Sequence, residues 1–278
     1  MRAYRIAYDG RPYYGFQRQP SVPTVEGALL DGLAELEITD RGETPPGYAA
    51  AGRTDRGVSA LAQTVAFEAP DWATPRVLNG ELPDPVCAWA SADAADGFHA
   101  TRDAAWREYR YLLYAPNLPD DRVRAALDRL TGTHDFHNLT AVTDPAVDTT
   151  RTVLAATATR DGEFLGIRVR ADGFLREMVR RVVTLVCSVA ADPVGPDHVP
   201  TTGTASVERA LSTERLDGPA GIGPAPAAPL ALTGVGYPDL AFAADERAVE
   251  RRRSAFERRR VEAATLARVA RVIRDGRS

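Results

Sequence analysis

Lysine is absent from this chain: all 34 of its basic residues are arginine. The Gly-rich stretch Gly218–Gly223 therefore lacks the lysine of a phosphate-binding loop and reads as linker. Histidine is scarce, with 4 copies in 278 residues. His134 and His137 stand three apart, but no Cys or His partners follow at ligand spacing, so no metal site is expected. The 2 cysteines, Cys87 and Cys187, lie in apolar surroundings. They exclude a disulfide framework and fit free thiols of a reducing compartment. No apolar run approaches the ~18 residues of a membrane span, and charge inside the first strand argues against a signal peptide. A cytoplasmic protein with no membrane partner is expected. Ser59 is not set in a Gly-x-Ser-x-Gly elbow, which weakens a serine-hydrolase reading.

What is present is ordinary in amount and uneven in distribution. Hydrophobic and charged contents of 44% and 26% are those of a globular protein. A chain of this length buries roughly three quarters of its unfolded surface. The net charge of −4 hides an asymmetry: residues 245–278 carry 11 Arg and 6 acids, a net of +5, which leaves −9 on the rest. An acidic body without lysine resembles proteins of salt-loving microbes or of very GC-rich genomes. It argues against a simple polybasic RNA binder.

Along the chain, Tyr4, Ile6 and Tyr8 alternate with Arg5 and Ala7, the pattern of a half-buried strand. Tyr13–Gln19 is too polar and Gly-interrupted for core and is expected as a loop over a site. Thr24 is placed to cap a helix whose apolar positions are Val25, Leu29, Leu33 and Leu36. Strands are expected at 63–68, 86–91, 108–114 and 230–237, with Tyr109, Tyr111 and Leu113 on one face of the third. Residues 70–85 are Pro-interrupted. Asp120 or Asp121 can cap a helix through Leu130. Asp161-Gly162 joins two strands as a two-residue hairpin turn. Asp172-Gly173 is expected to open a helix of about 17 residues that projects Arg176 and Arg180 together. Residues 218–229 read as a connecting loop. Two Arg triplets, 251–253 and 258–260, repeat on nearly one sector of a basic amphipathic helix over 245–274.

Between these elements stands Ala51-Gly52-Arg53-Thr54-Asp55-Arg56-Gly57-Val58-Ser59-Ala60, where a lone carboxylate sits in a turn between two glycines. Glycine supplies the backbone angles of a sharp turn and lets a ligand come close. An arginine in contact lowers a carboxylate's pKa by about 1–3, so Arg53 and Arg56 are expected to hold Asp55 ionised. That state suits a carboxylate nucleophile; equally, a surface loop can use its Asp only to bond its own turn.

Gly52-Arg53-Thr54-Asp55-Arg56-Gly57-Val58 resembles the catalytic motif of the tRNA pseudouridine synthase A (TruA) family, Gly-Arg-Thr-Asp-x-Gly-Val-His. Further similar stretches follow in the family's order up to about residue 240. They are Asp9-Gly10 with Tyr14-Gly15-Phe16-Gln17-Arg18-Gln19 and Thr24-Val25-Glu26; Asn79, Leu82 and Pro83; Phe98-His99-Ala100; Glu108-Tyr109-Arg110-Tyr111; His134-Asp135-Phe136; and Gly173-Phe174-Leu175-Arg176-x-Met178-Val179-Arg180. The resemblance implies an α/β (α+β) pseudouridine synthase fold. In it, two α/β subdomains share a mainly antiparallel central sheet, with the active cleft between them. The expected divisions are 1–105, which carries the Asp loop, 106–244, and an Arg-rich helical extension at 245–278.

The same resemblance implies a cofactor-free, metal-free isomerase. It would turn uridine into pseudouridine in the tRNA anticodon stem-loop, at positions 38 to 40, as a homodimer. By resemblance Asp55 is the nucleophile, Tyr109 packs on the base, Arg180 pairs with Asp55, and Arg53 positions the loop or grips phosphate. Ser59 replaces the family's usual histidine, Thr101 a usual arginine, and Thr184 a usual glycine. Three other readings compete: the same reaction on other RNA uridines, a non-catalytic RNA-binding protein on this scaffold, and a carboxylate-pair glycosidase. The last needs a second acid about 5–10 Å from Asp55, where the motif offers arginines.

Overall fold

The computed structural model describes residues 1–84, 86–191, 206–216, 218 and 221–276. Pro85 of the Pro-interrupted stretch, residues 219 and 220 of the expected connecting loop, and the last two residues of the tail lie outside the described residues. The N-terminal half contributes β1 (Arg2–Tyr8), α1 (Val25–Glu35), β2 (Ala49–Ala50), β3 (Ser59–Phe67), α2 (Pro75–Glu81) and β4 (Val86–Asp93). Then come β5 (Trp106–Tyr114), α3 (Asp120–Leu130), β6 (Gly132–Asp135), β7 (Thr150–Asp161), β8 (Phe164–Ala171), α4 (Met178–Ala191), α5 (Val207–Ala210) and β9 (Leu230–Gly236). The chain ends with β10 (Ala243–Ala244) and α6 (Glu246–Asp275).

Among the described residues ten strands join one sheet in the order β10-β4-β1-β3-β9-β5-β8-β7-β6, with β2 beside β3. Pairing is antiparallel except at the centre, where β3 runs parallel to β9 through Ser59↔Ala231 and Ala60↔Leu232. The expected mixed α/β fold with a mainly antiparallel sheet is what forms. Two apolar cores lie along it. One packs Tyr4, Ile6 and Tyr8 against Leu29 and Leu33 of α1, and the other packs Tyr111, Ile167 and Val169 against Leu127, Val182 and Val186. They interlock at the parallel seam. Val58, just before β3, enters the second core, Leu232 and Val235 of β9 enter the first, and Tyr109 touches both.

Local expectations hold where short-range chemistry decides. Thr24 caps α1, its Oγ1 accepting from the Gly27 N–H at 3.2 Å. Elsewhere tertiary contacts shift them. β1 is not half-buried: Ala3 and Ala7 are as buried as Tyr4 and Ile6, because its second face is covered too. There the Arg5 guanidinium lies 4.0 Å from the Phe242 ring centroid, and Cys87, paired with Ala7, donates its thiol to the Ala248 carbonyl of α6. Pro119, not an aspartate, occupies the cap position of α3. Asp120 is drawn instead to Arg160 and Arg124. The β7–β8 turn is Gly162-Glu163, one residue later than expected, with Gly162 at φ +58 between the pair Asp161↔Phe164.

α4 starts at Met178, five residues after Gly173, and is 14 residues long. Before it the chain is tied down: the Arg176 carbonyl accepts from Ala141 N–H and from Thr140 Oγ1, and Glu177 sits at φ +62. A side-chain-bearing residue at that angle breaks the helical path, so Arg176 and Arg180 do not share a helix face.

α6 is the expected basic helix, 30 residues long. Its two triplets do not point wholly to water: Arg251, Arg252 and Arg259 are half-buried against the body, while Arg253, Arg258 and Arg260 are exposed. Arg251 donates to the Asn79 and Leu82 carbonyls at the end of α2, and Arg258 pairs with Asp84 just beyond. Arg252 lies 4.5 Å from the Trp89 ring centroid, and Arg259 reaches the buried Asp9. The seven-residue spacing thus lays two rows of arginine on the chain's own surface. Past Arg260 the helix is exposed on all sides.

Candidate active site

A cleft of about 1200 Å³ opens at the seam between the two cores, and its lining includes Arg53, Asp55, Tyr109 and Arg180. The four residues singled out in the sequence are therefore brought to one place by β5, α4 and the loop before β3. That loop is tied from below. The Thr54 hydroxyl lies 2.8 Å from Tyr8 Oη, and the Thr54 carbonyl accepts from Phe16 N–H. Gln63 Nε2 donates to the Gly52 carbonyl at 2.7 Å, and Arg107 donates to the Ala51, Thr101 and Asp172 carbonyls. Arg107 thus staples the loop's root to the far side of the cleft, a role the sequence did not announce.

Glycine at two positions is obligatory for this packing. A Cβ on Gly10 would sit 2.0 Å from the Val58 carbonyl oxygen. Gly57, at φ +82, closes the turn in which Val58 N–H donates to the Asp55 carbonyl. Ser59, the departure from the family's histidine, accepts the Gly10 N–H, so its side chain holds the back of the loop. Thr101, the second departure, donates to the Ala50 carbonyl within the cleft wall. Thr184, the third, bonds back to the Arg180 carbonyl.

Asp55 Oδ2 stands 3.4 Å from Arg180 Nη1, the pairing expected. Arg180 is itself aimed by its Nε donating to the Ala225 carbonyl at 2.7 Å. The electrostatic expectation for Asp55 is overturned in both sign and cause. Burial pushes its pKa up, and the Arg180 charge and hydrogen bond only partly offset this. Arg53 and Arg56, expected to hold Asp55 ionised, are both exposed, and Arg56 lies on the Tyr14 ring instead. Glu177 adds to the upward push on Asp55. Its carboxylate is 3.8 Å from Arg180 Nη1 and 2.8 Å from Arg181 Nη2. A second carboxylate therefore does stand near Asp55, contrary to the motif's appearance, but two arginines occupy it.

Tyr109 packs edge-on to Phe174, ring centroids 5.0 Å apart, beside the carboxylate. Burial and the Asp55 charge both push its phenol pKa up, further from neutral pH, where the hydroxyl is in any case protonated. Arg151 and Arg176 join Arg53, Arg56, Arg107 and Arg180 in the lining, where arginines outnumber the carboxylates Glu26, Asp55 and Glu177. His134 and His137 lie away from it; His134 Nε2 meets the Thr131 carbonyl at 3.1 Å. The cleft offers a partly desolvated carboxylate, an aromatic wall of Tyr109 and Phe174, and arginines that can meet an anion.

Comparison with known proteins finds relatives that match almost the whole length of the chain. The family profile described as tRNA pseudouridine synthase matches residues 126–238. A protein named tRNA pseudouridine synthase A from Haloarcula marismortui is 53% identical over 286 residues, covering 99% of this chain and 100% of its own. Its namesake from Methanocella arvoryzae is 39% identical over 261 residues, covering 92% of each chain. The crystal structure of the archaeal box H/ACA sRNP Nop10-Cbf5 complex is similar only loosely, at TM-score 0.35 and 16% identity over 68% of this chain and 43% of that one. The cleft and its loop thus belong to a chain similar to these enzymes from end to end, and the chain is a member of the tRNA pseudouridine synthase family.

Proposed function

We propose that this protein isomerises uridine to pseudouridine in tRNA, with Asp55 as the nucleophile. The observation that carries this reading is the 3.4 Å pairing of Asp55 with Arg180 in a cleft walled by Tyr109 and Phe174. The reaction breaks the N1–C1′ bond and forms a C5–C1′ bond; the C5 proton is lost and N1 gains one, so nothing else is consumed. A carboxylate attacking the sugar or the ring holds one fragment while the uracil turns, as carboxylate nucleophiles do in glycosidases. Removing water raises the reactivity of such a carboxylate, and Arg180 keeps it aimed. Tyr109 packs on the flipped base, which costs a few kcal/mol to unstack. Arg53, exposed at the mouth, takes backbone phosphate in its planar fork.

The substrate is the anticodon stem-loop at positions 38 to 40, as the resemblance implies, and the chemistry calls for no metal or cofactor. The protein works in the cytoplasm; among the described residues no helix is long and apolar enough to cross a membrane. It works as a homodimer of two-subdomain protomers divided near residue 105. Leu112, Tyr114 and Phe164 expose apolar surface on the outer face of β5 and β8, which supports pairing. Mapping pseudouridine in tRNA from cells with and without this protein tests the substrate. Loss at positions 38 to 40 is expected; unchanged occupancy there removes the anticodon stem-loop as the target.

A further inference from the structure

Tyr14 stands out among the residues lining the cleft because it is aromatic and open to solvent, with 41% of its surface exposed. The Arg56 guanidinium lies over its ring, 4.1 Å from the centroid. Among the described residues no carboxylate pairs with Arg56, so its charge is held by the ring and remains available to an anion. The pair is rigidly mounted. Tyr14 N–H donates to the Pro23 carbonyl, and Gln19 Nε2 donates to the Tyr14 carbonyl. The next residue, Gly15, adopts φ +104 and packs so closely on the Thr54 carbonyl that a Cβ would sit 3.1 Å from it. Phe16 N–H then bonds that same carbonyl. Arg56 follows Asp55 directly in the chain. Platform and carboxylate are thus two parts of one braced loop, consecutive Cα atoms being about 3.8 Å apart.

We infer that Tyr14 and Arg56 form a second base-binding station: the ring stacks an unpaired nucleobase next to the reacting uridine, and Arg56 meets the intervening phosphate. This rests on the uridine-isomerase reading and deepens it. The inner station, Tyr109 with Phe174, has room beside Asp55 for the reacting base. Pulling one base from a stack uncovers the faces of its neighbours, and an aromatic ring at the cleft mouth restores one of those contacts. Stacking of this kind is tolerant of base identity. A ring topped by an unneutralised guanidinium, in a cleft that also carries Arg53, Arg151 and Arg176, matches a polyanion with flat apolar faces better than a protein surface.

The test is a double-mutant cycle between protein and RNA. Binding is measured with an unmodified tRNA anticodon stem-loop and with versions made abasic at one loop nucleotide at a time. Tyr14→Leu is expected to weaken binding of the intact RNA by about 5- to 150-fold, the equivalent of losing one stacked base. For the RNA abasic at the stacked position that penalty disappears, while at other positions it persists. Tyr14→Trp restores the intact-RNA affinity, and Arg56→Gln lowers the salt slope of log affinity by about 0.7. An equal penalty on every abasic RNA, or none on the intact one, overturns the proposal. Pseudouridine formation by the unaltered protein is read separately, so a failure of the activity reading is not confused with a failure of the platform.

Discussion

At the scale of single residues, the site is a balance around one carboxylate. Burial raises the Asp55 pKa, Arg180 opposes it, and Glu177 reinforces it. In the proposed reaction the ionised form is the nucleophile, so activity is expected to climb with pH through that pKa, and each neighbour moves the acid limb in a defined direction. Arg180→Ala removes the main opposing influence, so the limb of the pH–rate profile moves to higher pH. Glu177→Gln removes a like charge and moves the limb to lower pH. Opposite movements, or none, show that these charges do not act on the reacting group. Tyr109→Phe is expected to lose much more rate than affinity, since only a hydroxyl is removed from a ring that still packs on Phe174. The partners Asp55, Tyr109 and Arg180 were legible in the sequence because motif order carries them. The sign of the Asp55 shift was not, since burial depends on what the rest of the chain stacks around the loop. Glu177 was invisible for a related reason: a glutamate at φ +62 has no local signature.

At the scale of elements, α6 shows how periodicity can be read without its partner. The seven-residue repeat of arginines is plain in the sequence, but periodicity alone does not say whether such a face meets an RNA backbone or the chain's own acidic body. The docked arrangement is the one observed over the first half, and none of the residues lining the cleft belongs to α6. Three outcomes are expected. Arg251→Ala leaves the Asn79 and Leu82 carbonyls without their donor and costs about 1–3 kcal/mol of stability by thermal or urea unfolding. Loss of the exposed Arg258–Asp84 pair through Arg258→Ala costs at most about 1 kcal/mol. Removing 245–278 uncovers Cys87, which becomes open to thiol reagents, while the salt slope of RNA binding stays parallel to that of the full chain. A flattened slope would mean that the exposed half of α6 touches RNA. The same contrast between pattern and partner explains β1, whose alternation looked half-buried until α6 and Phe242 covered its other face.

At the scale of the whole molecule, most of the strands and helices are readable from stretches taken alone, while the single, mainly antiparallel sheet is implied by the family resemblance. The parallel contact of β3 with β9 is not readable from one stretch, because it joins residues 59–60 to 231–232. That contact sets the two cores side by side and opens the cleft at their seam. Assembly is checked by mass: a homodimer sediments at twice the 30.0 kDa of one chain, and Phe164→Arg on the outer face shifts it toward the monomer. The central claim, that a half-buried Asp55 attacks uridine, is tested most directly by single turnover on unmodified tRNA with an excess of purified Asp55→Asn protein. Asn keeps the shape without the nucleophile, so tRNA binding within about tenfold of the unaltered protein is expected, with no pseudouridine at any position. Its melting temperature should not fall, because a carboxylate whose pKa is raised in the fold costs stability once pH climbs through that pKa. Pseudouridine formed by that variant, at a site the unaltered protein also modifies, would contradict the account.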